Sequence, residues 1–152
     1  MKKIVNQIRD IQHIEKELHN NPVGVLSLNL KDDELIQMPT TFLYLDKNIY
    51  FFLDDNAELY ENLKLETDVK FIIVMNEKIK KNSKIDFTPM YNVISVSIAG
   101  LLKKVDDEKL MNLVRKNYVK KYSSKSDEKS FLSNKIVFID TEEIQAFEEV
   151  GG

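Results

Sequence analysis

Residues 35–63 limit the fold more than any other part of the chain. Two runs rich in apolar, β-branched and aromatic residues, Leu35 to Leu45 and Asn48 to Leu53, flank the turn residues Asp46-Lys47-Asn48 and read as a tight hairpin. Asp55 with Glu58 three residues on has the spacing of a capping box, which predicts a helix of about two turns burying Leu59 and Leu63. A turn this short joins strands only in antiparallel fashion, since a parallel pair needs a long crossover.

The remaining segments extend that pattern. Ile4, Ile8, Ile11, Ile14 and Leu18 recur at three- and four-residue spacing, which predicts an amphipathic helix from Lys2 to Asn20, ended by Asn20-Asn21-Pro22. Leu26, Leu28 and Leu30 alternate with Val25, Ser27 and Asn29, giving strand periodicity before the turn Lys31-Asp32-Asp33-Glu34. Val69 to Met75 is a strand. Asn92 to Val105 is a longer one, with Ile94, Val96 and Ile98 on one face, Ser95, Ser97 and Ala99 on the other, and Gly100 placed for a bulge or close approach. Asp106 is a fitting N-cap for a helix carrying Leu110, Leu113, Val114, Tyr118 and Tyr122, stopped by Ser123-Ser124-Lys125-Ser126, and a last strand runs from Lys135 towards Phe147. Asn76 to Met90 is polar and aperiodic, a mobile connection whose lysines read as a solvated charge run. The order α-β-β-β-α-β-β-α-β, with hairpin-type neighbours and short helices, predicts a mainly β protein: a six-stranded antiparallel barrel, closed or half-closed, with peripheral helices.

Size and charge narrow the function classes. With 152 residues and 43% hydrophobic content the chain is expected to form a single domain, 1–152. Twenty-two basic residues against 25 acidic give a net charge of -3, without the footprint that nucleic acid or an anionic membrane requires. Cysteine is absent, which excludes disulfides, thiolate metal sites and a cysteine nucleophile and fits a reducing compartment. Asn6, Gln7, Arg9 and Asp10 interrupt any export signal after Met1-Lys2-Lys3, and the longest apolar runs fall far below the ~20 residues of a bilayer span. A soluble, cytoplasmic protein is expected. His13 and His19 lack the i, i+4 spacing of paired ligands, so no metal site is expected. Four glycines leave no phosphate-binding loop, and no motif assigns a catalytic residue. Tyr118 and Tyr122, at i and i+4, read as a packing edge or dimer contact.

Several segments, in order, carry a resemblance: Asn21-Pro22-Val23-Gly24-Val25-Leu26-Ser27-Leu28, Met38-Pro39-Thr40-Thr41-Phe42, Asn48-Ile49-Tyr50-Phe51-Phe52, Tyr60-Glu61-Asn62-Leu63-Lys64, Val69-Lys70-Phe71, and Val96-Ser97-Ile98-Ala99-Gly100-Leu101 with Val105-Asp106-Asp107. Together they resemble the pyridoxamine 5'-phosphate oxidase-like, FMN-binding split-barrel family, which includes the small nitroimidazole-resistance proteins. The resemblance implies a six-stranded antiparallel split β-barrel, a homodimer with flavin mononucleotide (FMN) at the subunit interface, and an oxidoreductase of unknown substrate. The ring would lie along the second and third strands and the phosphate near the start of the short helix. Met38, Pro39, Thr40, Thr41, Leu53, Asp54, Asn56 and Tyr60 are the implied cofactor-binding residues.

The chain departs from that family at the phosphate end. Relatives commonly carry an arginine at or near the position of Met38 and lysine or serine around the start of the short helix, where this chain has Asp54, Asp55, Ala57 and Glu58. A phosphate dianion would meet carboxylates there instead of charge-assisted donors. Asp54 and Asp55 themselves read as turn and cap residues. Two other functions fit the same fold: a cofactor-free dimeric binding or interaction protein, and a haem-binding or haem-degrading split barrel. Pyridoxamine phosphate oxidation itself is not expected, because Glu148-Glu149-Val150-Gly151-Gly152 replaces the basic tail of those enzymes.

Overall fold

The computed structural model describes residues 3–76, 91–123 and 133–151. The polar connection expected up to Met90 and the serine stop beyond Ser123 lie outside the described residues. The elements are β1 (Lys3–Ile8), α1 (Ile11–Asn20), β2 (Gly24–Asn29), β3 (Leu35–Thr40), β4 (Leu43–Leu45), β5 (Asn48–Phe52), α2 (Ala57–Asn62), β6 (Asp68–Asn76), β7 (Tyr91–Lys104), α3 (Glu108–Tyr122) and β8 (Ile136–Gly151). Every strand pairing is antiparallel. The protein is mainly β, an antiparallel curled half-barrel with peripheral helices, as its residue pattern predicts.

Strand order explains the curl. The sheet runs β3-β2-β6-β7-β8-β5-β4, so β3 and β4 stand at opposite ends of it. Only Thr41 and Phe42 separate them on the chain, so the two ends must meet. The single run expected over 35–45 is therefore two strands with different partners, β3 on β2 and β4 on β5. On β8 the second edge is shared, with Ile136–Ile139 pairing β5 and Ala146–Gly151 pairing β1.

Two elements differ from expectation at the N-terminus. The predicted helix over 2–20 begins only at Ile11, because the Asp10 carboxylate accepts from the Gln12 amide and caps it. Ahead of it, the edge of β8 takes Lys3–Ile8 as β1, a strand exposed along its length except at Ile8. With the division of 35–45, this makes eight strands among the described residues where six were predicted.

Local chemistry sets the remaining boundaries. Leu45 pairs with Asn48, leaving Asp46 and Lys47, both at positive φ (49° and 69°), as a two-residue hairpin turn of the primed kind that matches strand twist. Register slips between Ala99 and Gly100, where a Cβ on Gly100 would stand 2.1 Å from the Asp140 carbonyl oxygen. The bulge therefore requires glycine. At α2 and α3 the N-caps are Asn56 and Asp107, each one residue beyond the predicted cap.

Inward-facing residues alternate along every central strand: Leu26 and Leu28, Phe71 and Ile73, Val96 and Ile98, Ile49 and Phe51, Val137 and Ile139. Phe42, Phe51 and Phe71 stack edge to face or tilted at 4.8–5.2 Å in the interior, each such contact adding about 0.5–1.5 kcal/mol to area burial. Ile14 and Leu18 of α1 join this core. A second cluster, Leu43, Tyr50, Val105, Val114 and Ile136, packs α3 onto the outside of β4, β5 and β8.

Candidate functional site

The β3–β4 junction is sealed by the last turns of α3. Tyr118 shares a 2.8 Å hydrogen bond with the Thr41 hydroxyl and packs its ring 4.4 Å from that of Phe52. Tyr122 accepts from the Phe42 amide at 3.0 Å, and its hydroxyl lies 2.8 Å from both the Phe42 and Pro22 carbonyls. The Lys121 ammonium donates to the Phe42 and Leu18 carbonyls and sits 3.6 Å above the Phe42 ring. Burial pushes its pKa down to about 8. The tyrosine pair is thus a packing edge within one chain.

The expected cofactor residues divide into two groups. Met38 is half-buried against the barrel core, Pro39 is exposed on the outer face, and the Thr40 hydroxyl donates to the Thr41 carbonyl at 3.1 Å. All lie on β3 or just past it, and among the described residues β3 has β2 on one edge and no strand on the other. The second group surrounds α2. Leu53 is buried in the core, Asn56 accepts from the Leu59 amide as N-cap, and Tyr60 lies half-buried on the helix. The Asp54 carboxylate accepts from the Ser133 hydroxyl and from the Asn134 and Lys135 amides (3.2 and 3.3 Å). That carboxylate ties the start of β8 to the start of α2.

Two clefts flank α2, and they differ in charge. One, about 470 Å³, is lined by Leu30, Lys31, Asp32, Glu34, Glu58 and Asn62, so Glu58 faces two further carboxylates of the β2–β3 turn. The other, about 550 Å³, is lined by Tyr60, Glu108, Met111, Arg115, Asn134 and Lys135. Lys104 caps the Tyr60 ring at 4.3 Å. Burial, with Glu61 and Asp54 nearby, raises the Tyr60 pKa, so its hydroxyl keeps its proton. Both volumes fall in the ~300–1,000 Å³ range of small-molecule sites.

Arg115, Lys135 and Lys104 had no place in the expected site. They come from α3, the approach to β8 and the end of β7, and only the tertiary fold brings them together. Sequence did hold one signal. Arg115 falls four residues after Met111 and three before Tyr118, on the stripe of α3 that packs inward, where an arginine is out of place. His13 and His19 remain on α1, the first 3.6 Å from Glu17 and the second edge-on to Tyr44.

No family model and no curated protein sequence matches the chain. Solved structures do. A candidate 5-nitroimidazole antibiotic resistance protein from Bacteroides thetaiotaomicron superposes with a TM-score of 0.75 at 11% identity, covering 99% of this chain and 91% of the other. An FAD-binding protein from Mycobacterium smegmatis gives 0.68 at 12% identity, covering 97% and 100%. A candidate pyridoxamine 5'-phosphate oxidase from Corynebacterium glutamicum gives 0.65 at 17% identity, covering 100% and 98%. The chain therefore has the fold of the pyridoxamine-phosphate-oxidase-like split barrels, and at these identities the likeness is one of fold.

Proposed function

We propose that the protein is a flavin-nucleotide-binding split barrel that takes FMN and works as a homodimer, with an oxidoreductase role on a substrate its residues do not name. The observation that carries this reading is the edge of β3 that pairs with no strand among the described residues. An isoalloxazine ring presents alternating acceptors and one N–H along its pyrimidine side, and a strand edge with no neighbour offers the matching backbone donors and acceptors. Met38 and Pro39 would pack on the ring, and Thr40 would border it. When bound, flavin supplies hydride or electron transfer, and the protein contributes position and electrostatics.

A homodimer is supported by the outer face of the sheet. Val25 and Ile72 are cross-strand partners, and Val23, Val25, Ile72 and Val74 are all exposed, between 37% and 56%. Together they form an apolar stripe beside Pro39 that a second copy would cover. Ile72→Lys is expected to shift a dimer to monomer in sedimentation velocity.

The reading is tested by the absorption spectrum of protein purified from cells and resupplied with FMN. Flavin bands that survive desalting support it. A Soret band in their place would point to haem, and a spectrum free of both after FMN addition, with no rise in melting temperature, would overturn it, since a ligand selective for the native state stabilises that state.

A further inference from the structure

The basic cleft between α2 and α3 is a second place where the molecule is unfinished. Arg115 donates to Asn112 Oδ1 at 3.2 Å and to Met111 Sδ at 3.5 Å, both on its own helix. Its Nε is buried without a hydrogen-bond partner, and no carboxylate pairs with the guanidinium among the described residues. The Lys135 ammonium also makes no ion pair there, although its backbone is held on both sides, N–H to Asp54 and C=O from Leu53. Two cations that make no ion pair among the described residues, a phenol that keeps its proton and an asparagine therefore line one cleft of about 550 Å³. Among the described residues, Glu108 is the single acidic one in its lining. Folded proteins normally pair such charges or leave them in open water, because a desolvated guanidinium with an idle N–H costs stability.

We infer that the cleft lined by Tyr60, Arg115, Asn134 and Lys135 binds a phosphoryl group. The guanidinium fork and a nearby ammonium are the donors that tetrahedral dianions recruit. Tyr60 and Asn134 add neutral donors, and Asp54 holds Asn134 and Lys135 in place without lining the cleft itself. The group arrives either as the phosphate end of a flavin nucleotide or on a separate phosphorylated metabolite. The site stands on its own geometry and does not require the flavin reading.

Arg9 and Arg115 are the two arginines of the chain, so the arginine side-chain Nε–Hε region of a proton–nitrogen NMR spectrum offers a direct reporter with an internal reference. Inorganic phosphate, ribose 5-phosphate, FMN and riboflavin are titrated in turn into the full chain. The expected result is a saturable shift of the Arg115 signal with a phosphorylated probe and none with riboflavin, while Arg9, bonded only to Gln7, stays put. Arg115→Gln, which lacks the reporter and is read by calorimetric titration instead, is expected to weaken that probe about ten-fold or more, as loss of a charge-assisted pair does. Lys135→Gln removes a side chain that makes no ion pair among the described residues and gives a second variant, expected to keep the fold.

A shift with FMN combined with tighter binding of FMN than riboflavin assigns the group to the nucleotide. A shift with inorganic phosphate or ribose 5-phosphate, while FMN and riboflavin bind equally or not at all, assigns it to a separate molecule. If none of the three phosphorylated probes moves Arg115, or if both variants bind them as the unaltered protein does, the inference fails, even where riboflavin binding keeps the flavin reading alive.

Discussion

The two clefts beside α2 have similar size and opposite chemistry. On one side, Asp32, Glu34 and Glu58 gather three carboxylates around Lys31; on the other, Arg115 and Lys135 stand around Glu108 without an ion pair among the described residues. Two segments build the acidic cleft, the β2–β3 turn and α2, held together by the Lys31 amide on the Asn62 carbonyl. Long-range packing built the basic one, which draws on α2, α3 and the segment ahead of β8. An anion expected near the short helix would meet repulsion or attraction according to which flank it approaches, and the six residues of α2 set that boundary.

The largest expected effect comes from removing the support of the basic cleft. Asp54→Ala strips the acceptor of the Ser133 hydroxyl and of two backbone amides, and is expected to cost about 1–3 kcal/mol in urea unfolding and to weaken phosphate binding with it. Unchanged stability would show that Lys135 is held by other means. Glu108→Gln comes next. Losing the one carboxylate of the basic cleft is expected to tighten inorganic phosphate by a few-fold, about 0.5–1 kcal/mol, as read by the Arg115 signal. Weaker binding would mean that Glu108 positions the guanidinium.

A pH series separates the cations of α3. Because burial lowers the Lys121 pKa to about 8 from 10.5, the unfolded chain holds more protons than the folded one between those values. Stability is therefore expected to rise from pH 8 to about pH 10 in urea titrations. Lys121→Met is expected to flatten that rise. Lys121 does not line the basic cleft, so Lys121→Met is expected to leave phosphate binding there as it is. The smallest effect is expected from Glu58→Lys, which alters only the acidic flank and leaves the FMN-to-riboflavin affinity ratio unchanged. A clear rise in that ratio would place the phosphate on the acidic side.

Legibility in the sequence followed the range of the interactions. Alternation identified β2, β6 and β7 with their inward faces, because a two-residue period reports burial directly. The bulge at Gly100 was legible because a lone glycine inside a strand pattern marks a bulge or a close approach. At Ile4 to Ile14 the helical spacing overran its element, because the Asp10 cap and pairing with the edge of β8 override it over Lys3–Ile8. The break at Thr41 and Phe42 was hidden, since no local signal reveals that one run serves two partners across a closing sheet. The residues expected around a cofactor fall near one another along the chain, on β3 and around α2. The cations that answer the acidic start of α2 lie far away in sequence, and only Arg115, on an inward stripe, left a mark.

Flavin mononucleotide is proposed to sit along the edge of β3 that has no partner strand among the described residues. Fluorescence titration of FMN with purified protein, followed by a melting curve of the mixture, tests it most directly. Saturable quenching together with a higher melting temperature is the predicted result, and free fluorescence with an unmoved melting temperature at excess FMN would contradict it.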